Sequence, residues 1–187
     1  EELYALQDKV LAGIFAKETT FYLTGGTCLH RFYFHRRFSA DLDLFTNDYS
    51  LFRDDARMVR EALSSSGVTF VVQVDSRDFV RLLIESSLRV DLVNDRVYRF
   101  GKSVRSPSGV ILDNLENLCA NKICAILGRD DPKDVFDLCM IVQESDIKLS
   151  SVISSAEKKC VLDPEVLEYR LSSFPLRLLD DLAVTDQ

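Results

Sequence analysis

Three short apolar runs crowd together between Thr69 and Val93, over residues 69–74, 79–84 and 88–93. Each has the length and the β-branched and aromatic content of a strand, and Ser86-Ser87 offers a short hairpin turn between the last two. A strand cannot satisfy its own backbone donors and acceptors, so this region demands a sheet. The period then changes. From about Asn114 the apolar residues recur at helical spacing over 114–127 and 132–143, with further helices expected at 149–159 and 164–172. Asp131-Pro132 is a helix start in itself, a capping carboxylate followed by proline at the first helical position.

Upstream, Leu3, Leu6, Val10, Leu11 and Ile14 form the apolar stripe of an amphipathic helix over 3–17. Phe21-Tyr-Leu23 is a strand that ends in Gly25-Gly26, and a helix follows through about Phe34. Residues 41–45 alternate acid and apolar side chains, the period of a strand, and 51–64 read as helix. The expected class is α+β: a mixed sheet with flanking helices, followed by a small helical C-terminal part. Pro107 and Gly109 break the pattern between them, which divides the chain into 1–108 and 109–187.

Bulk properties narrow the functions. The chain has 187 residues, 47% apolar and 28% charged, with no apolar run near the roughly 20 residues of a membrane helix. Its five cysteines include no CxxC pair, so they read as buried apolar residues in a reducing, cytoplasmic compartment and not as a disulfide frame or zinc site. A net charge of −7 argues against a protein that coats nucleic acid. A local exception lies at 77–105, where seven basic residues face four acidic ones.

Asp41 and Asp43 stand one residue apart on a strand and therefore share a face. Their repulsion is relieved by a cation between them, and Mg²⁺ is a hard ion that takes oxygen ligands. Leu42 and Leu44 anchor the opposite face. Asp91 is the lone carboxylate of the apolar run Leu88-Arg-Val-Asp91-Leu-Val93 and completes a possible two-metal set, with general-base work on an acceptor hydroxyl as its role. An ion pair from Asp91 to Arg81 or Arg89 is the structural alternative. Gly25-Gly26-Thr27 opens a helix after a strand, a place where backbone N–H groups approach a phosphate. Arg37 and Ser39, just before the acids, are candidates to bind a triphosphate. Lys122 interrupts the apolar stripe of Leu115, Leu118, Cys119 and Ile126, where an unpaired ammonium is expensive.

The segments Leu23-Thr-Gly-Gly-Thr-Cys-Leu29 and His35-Arg-Arg-Phe-Ser-Ala-Asp-Leu-Asp-Leu-Phe45 closely resemble those of the AbiEii/AbiGii-type toxin nucleotidyltransferases, within the DNA polymerase β-like superfamily. The likeness continues through Lys122, Arg129 and Lys133-Asp134-Val-Phe-Asp137-Leu138, and covers roughly residues 20–140. It implies a Mg²⁺-dependent enzyme that moves NMP from NTP to an acceptor hydroxyl. It also implies a toxin of a toxin–antitoxin or abortive-infection system, with tRNA as an acceptor and a cognate antitoxin as a partner. By that likeness Lys122 contacts the nucleotide phosphates, and Asp134 or Asp137 positions the nucleotide or the acceptor. A lock between two helices, Lys122 to Asp137, is the alternative. Many relatives carry a larger helical C-terminal portion, so the acceptor stays open between tRNA, a protein and a small antibiotic. A non-catalytic nucleotide-binding module is the remaining alternative.

Overall fold

The computed structural model describes residues 2–185. The chain forms two compact units. The first comprises the chain through Cys28 together with Ser39–Arg96 and Ser103–Asp113; the second comprises Leu29–Phe38, Val97–Lys102 and the chain from Asn114 onward.

The first unit is a sheet with helices. Its strands are β1 (Tyr22–Thr24), β2 (Leu42–Thr46), β3 (Phe70–Asp75), β4 (Phe79–Ile84), β5 (Leu88–Asn94), β6 (Val104–Arg105) and β7 (Ile111–Leu112), in the order β3-β4-β5-β2-β1-β7-β6. The β2–β5 and β1–β7 pairs are parallel and the others antiparallel, so the sheet is mixed. The three runs that demanded a sheet form the meander β3-β4-β5. The short strands β6 and β7 are additions to the expected set. Two residues carry no readable period, and these strands exist only because β1 offers its free edge to Leu112.

Helices α1 (Glu2–Phe15) and α3 (Phe52–Ser65) lie against each other and against β5. They bury one face of the central strands, where Leu42, Leu44, Leu88, Val90 and Leu92 are closed from solvent. Alternation does the rest: the side chains between those leucines and valines emerge on the other face. The edge strand β3 departs from its apolar sequence. Val71, Val72 and Val74 are all exposed, and the pairing with β4 shifts register between Val72 and Val74.

The second unit is helical. It holds a π-helical turn (Leu29–Tyr33), α4 (Leu115–Gly128), α5 (Pro132–Glu144), α6 (Leu149–Ala156), α7 (Pro164–Ser172) and a 3₁₀ turn at Leu176–Leu179. That π turn continues from a single α turn, α2 (Gly25–Cys28), which belongs to the first unit. The helix starts are the expected kind. The Asp131 side chain accepts from the N–H of Lys133 ahead of Pro132, Asp163 does the same for Glu165, and Asn114 accepts from Asn117.

The cysteines divide. Cys28 and Cys119 are buried, as small apolar residues should be, but Cys139 is exposed and Cys124 and Cys160 are half-buried with their sulfurs 2.7 Å apart. Uniform burial was therefore too simple an expectation. No described helix is long and apolar enough to cross a membrane.

Candidate functional site

The parallel pairing of β2 with β5 decides the geometry in the first unit. Asp43 stands directly opposite Asp91, and Leu42 opposite Val90, which brings Asp41 beside Arg89. On the other side of β5, Asp91 pairs with Arg81 of β4. Five charged side chains thus share one sheet face. Among the expected site residues, Asp41, Asp43 and Asp91 do come together, although they lie some fifty residues apart in sequence.

Gly25 joins the two halves of the sequence motif. Thr24 pairs with Asp43 across β1 and β2, so the next residue lies over that carboxylate. Its φ of +71° belongs to the left-handed region, and a Cβ there would collide with the Asp43 carboxylate. Glycine is required on both counts. Thr27, buried, donates its hydroxyl to the Asp41 carbonyl, with Gly26 joining it to Gly25 in the turn. The glycine turn therefore shapes the floor beneath the acids.

Two guanidiniums answer the carboxylates. Arg81 holds Asp91 through parallel bonds of 2.7 and 2.8 Å, and Arg89 donates to Asp41. The Asp91 hydrogen bond raises the Arg81 pKa above its ordinary value. The ion pair that the sequence allowed as an alternative is thus present. Among the described residues, no three His, Cys, Asp or Glu side chains are already gathered as a metal centre. The donor chemistry nonetheless fits a hard cation. Three carboxylates emerge on one face, and the missing side chain at Gly25 lets the Asp43 carboxylate lie against the turn.

A second ionic cluster lies within the helical unit. Lys122 on α4 reaches Asp134 at 2.8 Å and Asp137 at 2.7 Å, both on α5. Asp137 also accepts two bonds of 2.7 Å from Arg37 and stands 2.7 Å from His30 Nε2. Arg129 donates to the other oxygen of Asp134 at 2.6 Å. Lys122, Asp134, Asp137, Arg37 and His30 are all buried.

Burial shapes their charge states. It would raise the Asp137 pKa, but the bonds from His30 and Arg37 and the charges of Lys122 and Arg37 hold the carboxyl well below the usual range. For Asp134, Arg129 and Lys122 likewise overcome burial and lower the pKa. Burial alone would depress Lys122, yet Asp137 and Asp134 keep its pKa above the ordinary value. His30 goes the other way: burial outweighs Asp137 and lowers it, so the imidazole is neutral near pH 7.

Arg37 and Ser39, two residues apart in sequence, belong to different units. Arg37 spends its guanidinium on Asp137 and on the Phe38 carbonyl, within the second unit. Ser39 begins a segment of the first unit, where its carbonyl accepts from Gln7. His30 escaped sequence reasoning because a lone histidine in an apolar helix carries no motif. Asp113 escaped as well: fully buried after β7, it accepts from Thr24 Oγ1 at 2.8 Å. Its signal would have been an acid ending a short apolar run.

Known structures share this fold. JHP933 from Helicobacter pylori superposes with a TM-score of 0.59 at 17% identity, over 96% of this chain and 93% of that one. The antibiotic-resistance factor ANT(2'')-Ia gives 0.55 at 14% identity, covering 96% and 94%. MenT4, a nucleotidyltransferase toxin from Mycobacterium tuberculosis, gives 0.52 at 17% identity, covering 96% of this chain and 64% of that one. No curated protein sequence matches the chain significantly. Residues 9–184, nearly the whole length, match the family described as the nucleotidyl transferase AbiEii toxin of type IV toxin–antitoxin systems, and the chain belongs to that family of nucleotidyltransferases.

Proposed function

We propose that this enzyme moves NMP from NTP to a hydroxyl of tRNA as the toxin of a toxin–antitoxin pair, with Mg²⁺ held by Asp41, Asp43 and Asp91. The carrying observation is the alignment of Asp43 with Asp91 across the parallel strands, beneath the close approach of Gly25. Bound there, Mg²⁺ supplies charge neutralisation at the phosphates and acidifies the attacking hydroxyl. Asp91 directs that hydroxyl and takes its proton; the hydroxyl oxygen forms a bond to the α-phosphorus and pyrophosphate leaves. Arg81 fixes the Asp91 carboxylate in one orientation, which restricts where it can receive the proton. Gly25, Gly26 and Thr27 form the turn against which the Asp43 carboxylate rests, and their backbone N–H groups are the proposed phosphate contacts.

Lys122, Asp134 and Asp137 are assigned a positioning role first. The ammonium already serves two carboxylates, so the phosphate contact that the family likeness implies requires it to turn from one of them. Arg37 belongs with this group, since both edges of its guanidinium are committed. Ser39 keeps the triphosphate role, with its hydroxyl two residues before Asp41.

The acceptor is the open choice. The basic excess at 77–105 supports an RNA backbone, but Arg81, Arg89 and Arg96 are paired with Asp91, Asp41 and Asp78. Arg77 and Arg105, exposed on the first unit, are further charges available to a polyanion. A small hydroxyl compound is the second reading, supported by the fold that the chain shares with an antibiotic-resistance factor.

Labelled NTPs incubated with total tRNA, protein extract and small hydroxyl-bearing antibiotics separate these readings. Label on tRNA, lost in Asp43→Asn by about 10³-fold, is the expected result, since a phosphate-binding cation is worth several kcal/mol at the transition state. Label confined to protein or to the small compound overturns the tRNA assignment.

A further inference from the structure

Arg89 is held differently from every other arginine on the carboxylate face. Arg81 grips Asp91 with both edges of its fork, and that pair is partly shielded, Asp91 itself being buried. Arg89 makes one hydrogen bond, from Nη2 to Asp41 Oδ2, and both side chains are open to solvent, 43% and 37% exposed. Its Nε lies 3.8 Å from Asp91 Oδ2 and, although enclosed, has no hydrogen-bond partner. A guanidinium is built to bind planar anions with two donors at once. Here it uses one, against a carboxylate needed for another purpose. A single-point, half-exposed ion pair holds weakly and exchanges readily.

We propose that Arg89 is a substrate-positioning residue: it stands on Asp41 in place of the divalent cation and passes to the nucleotide's phosphate tail when cation and nucleotide arrive together. This rests on the reading that Asp41, Asp43 and Asp91 hold the metal. The Asp41 oxygen that Arg89 occupies cannot serve guanidinium and metal ion equally, so the two cations compete for it. Once displaced, Arg89 keeps its place on β5 beside Asp41, because the β2–β5 register fixes both backbones. Its fork, including the unsatisfied Nε, is then free for the phosphate oxygens brought to the same face. Arg81 cannot make this exchange without giving up both of its bonds to Asp91.

Competition and capture have opposite signs, which makes the role measurable. Without nucleotide, Arg89 weakens metal binding; with nucleotide, it strengthens substrate binding. The guanidinium thereby discourages the metal-loaded, nucleotide-free form. A residue that only braced the sheet would shift both affinities in the same direction.

The test titrates Mn²⁺, as a spectroscopic stand-in for Mg²⁺, into the nucleotide-free full chain by electron paramagnetic resonance, alongside steady-state transfer kinetics. Wild type is compared with Arg89→Gln, Arg89→Lys and Asp43→Asn. Arg89→Gln is expected to bind Mn²⁺ about five- to tenfold more tightly while its KM for NTP rises by about tenfold, the range of a modest coupling between sites. Arg89→Lys keeps the charge but not the fork, so its Mn²⁺ affinity stays near wild type while KM still rises. Arg89→Gln with unchanged or weaker Mn²⁺ binding overturns the proposal, provided Asp43→Asn has lost the ion. If Asp43→Asn binds Mn²⁺ like wild type, the metal assignment beneath it fails instead. Should Arg89→Gln not fold, Arg89→Lys decides: an unaltered KM overturns the proposal.

Discussion

The two ionic clusters use the same residue types under different dielectric conditions. On the sheet face, Asp41 and Arg89 meet while both are well exposed to water. Inside the helical unit, Asp137 gathers Lys122, Arg37 and His30 with no solvent at its carboxylate. Exposed pairs contribute little and can be exchanged for a ligand, whereas removal of one buried partner strands the charges of the others. The contrast supports the proposal that the first cluster binds and the second positions.

The largest effect should come from Asp137. Asp137→Asn leaves Lys122 and Arg37 buried against a neutral amide, so chemical denaturation should show a loss of about 3–5 kcal/mol. A loss under about 1 kcal/mol would break the contrast by showing that water reaches this cluster.

Gly25→Ala should follow. The left-handed backbone costs about 1–2 kcal/mol for a residue with a Cβ, and the collision with Asp43 adds to it. Because the collision moves a proposed ligand, transfer should fall further than thermal stability does. Equal falls would mean that the turn is only structural.

A smaller change is expected for Asp41→Asn. Its partner is exposed, so stability should stay within about 1 kcal/mol of wild type while nucleotidyl transfer collapses. A large stability loss here would place both clusters in the same class.

Acid gives the subtlest comparison. His30 has a depressed folded-state pKa, so as pH falls below its ordinary 6.5 the unfolded chain takes up the proton first and stability declines. That decline ends at the lower folded-state pKa. Asp134 and Asp137, also depressed, contribute stability above their ordinary 3.8 that is lost as pH falls toward their lower folded-state values. Melting temperatures measured from pH 7 to about 5 should drop in wild type and stay flat in His30→Gln. An equal drop in that variant would assign the titration to another group.

Much of this is legible in the sequence. The alternation of Asp41-Leu-Asp43-Leu determined which side chains share a face, because strand geometry permits only one arrangement. The Asp131-Pro132 start of α5 and the misplaced Lys122 on α4 announced a capped helix and a buried charge in need of a partner. The motif residues Gly25 and Asp43 showed their order in sequence, but not that one lies over the other.

Tertiary structure decided the rest through long-range register and burial. Whether Asp91 stands opposite Asp43 depends on how β2 and β5 pair, and a slip of one residue would send Asp91 to the other face. The strands β6 and β7 exist only as partners of an edge. Arg37 lies next to the acids in sequence, but its pairing with Asp137 became visible only in the folded chain. Local sequence fixes periodicity because that is set by the backbone. The partner each charge chooses is set by neighbours a hundred residues away, and only the folded chain brings them within reach.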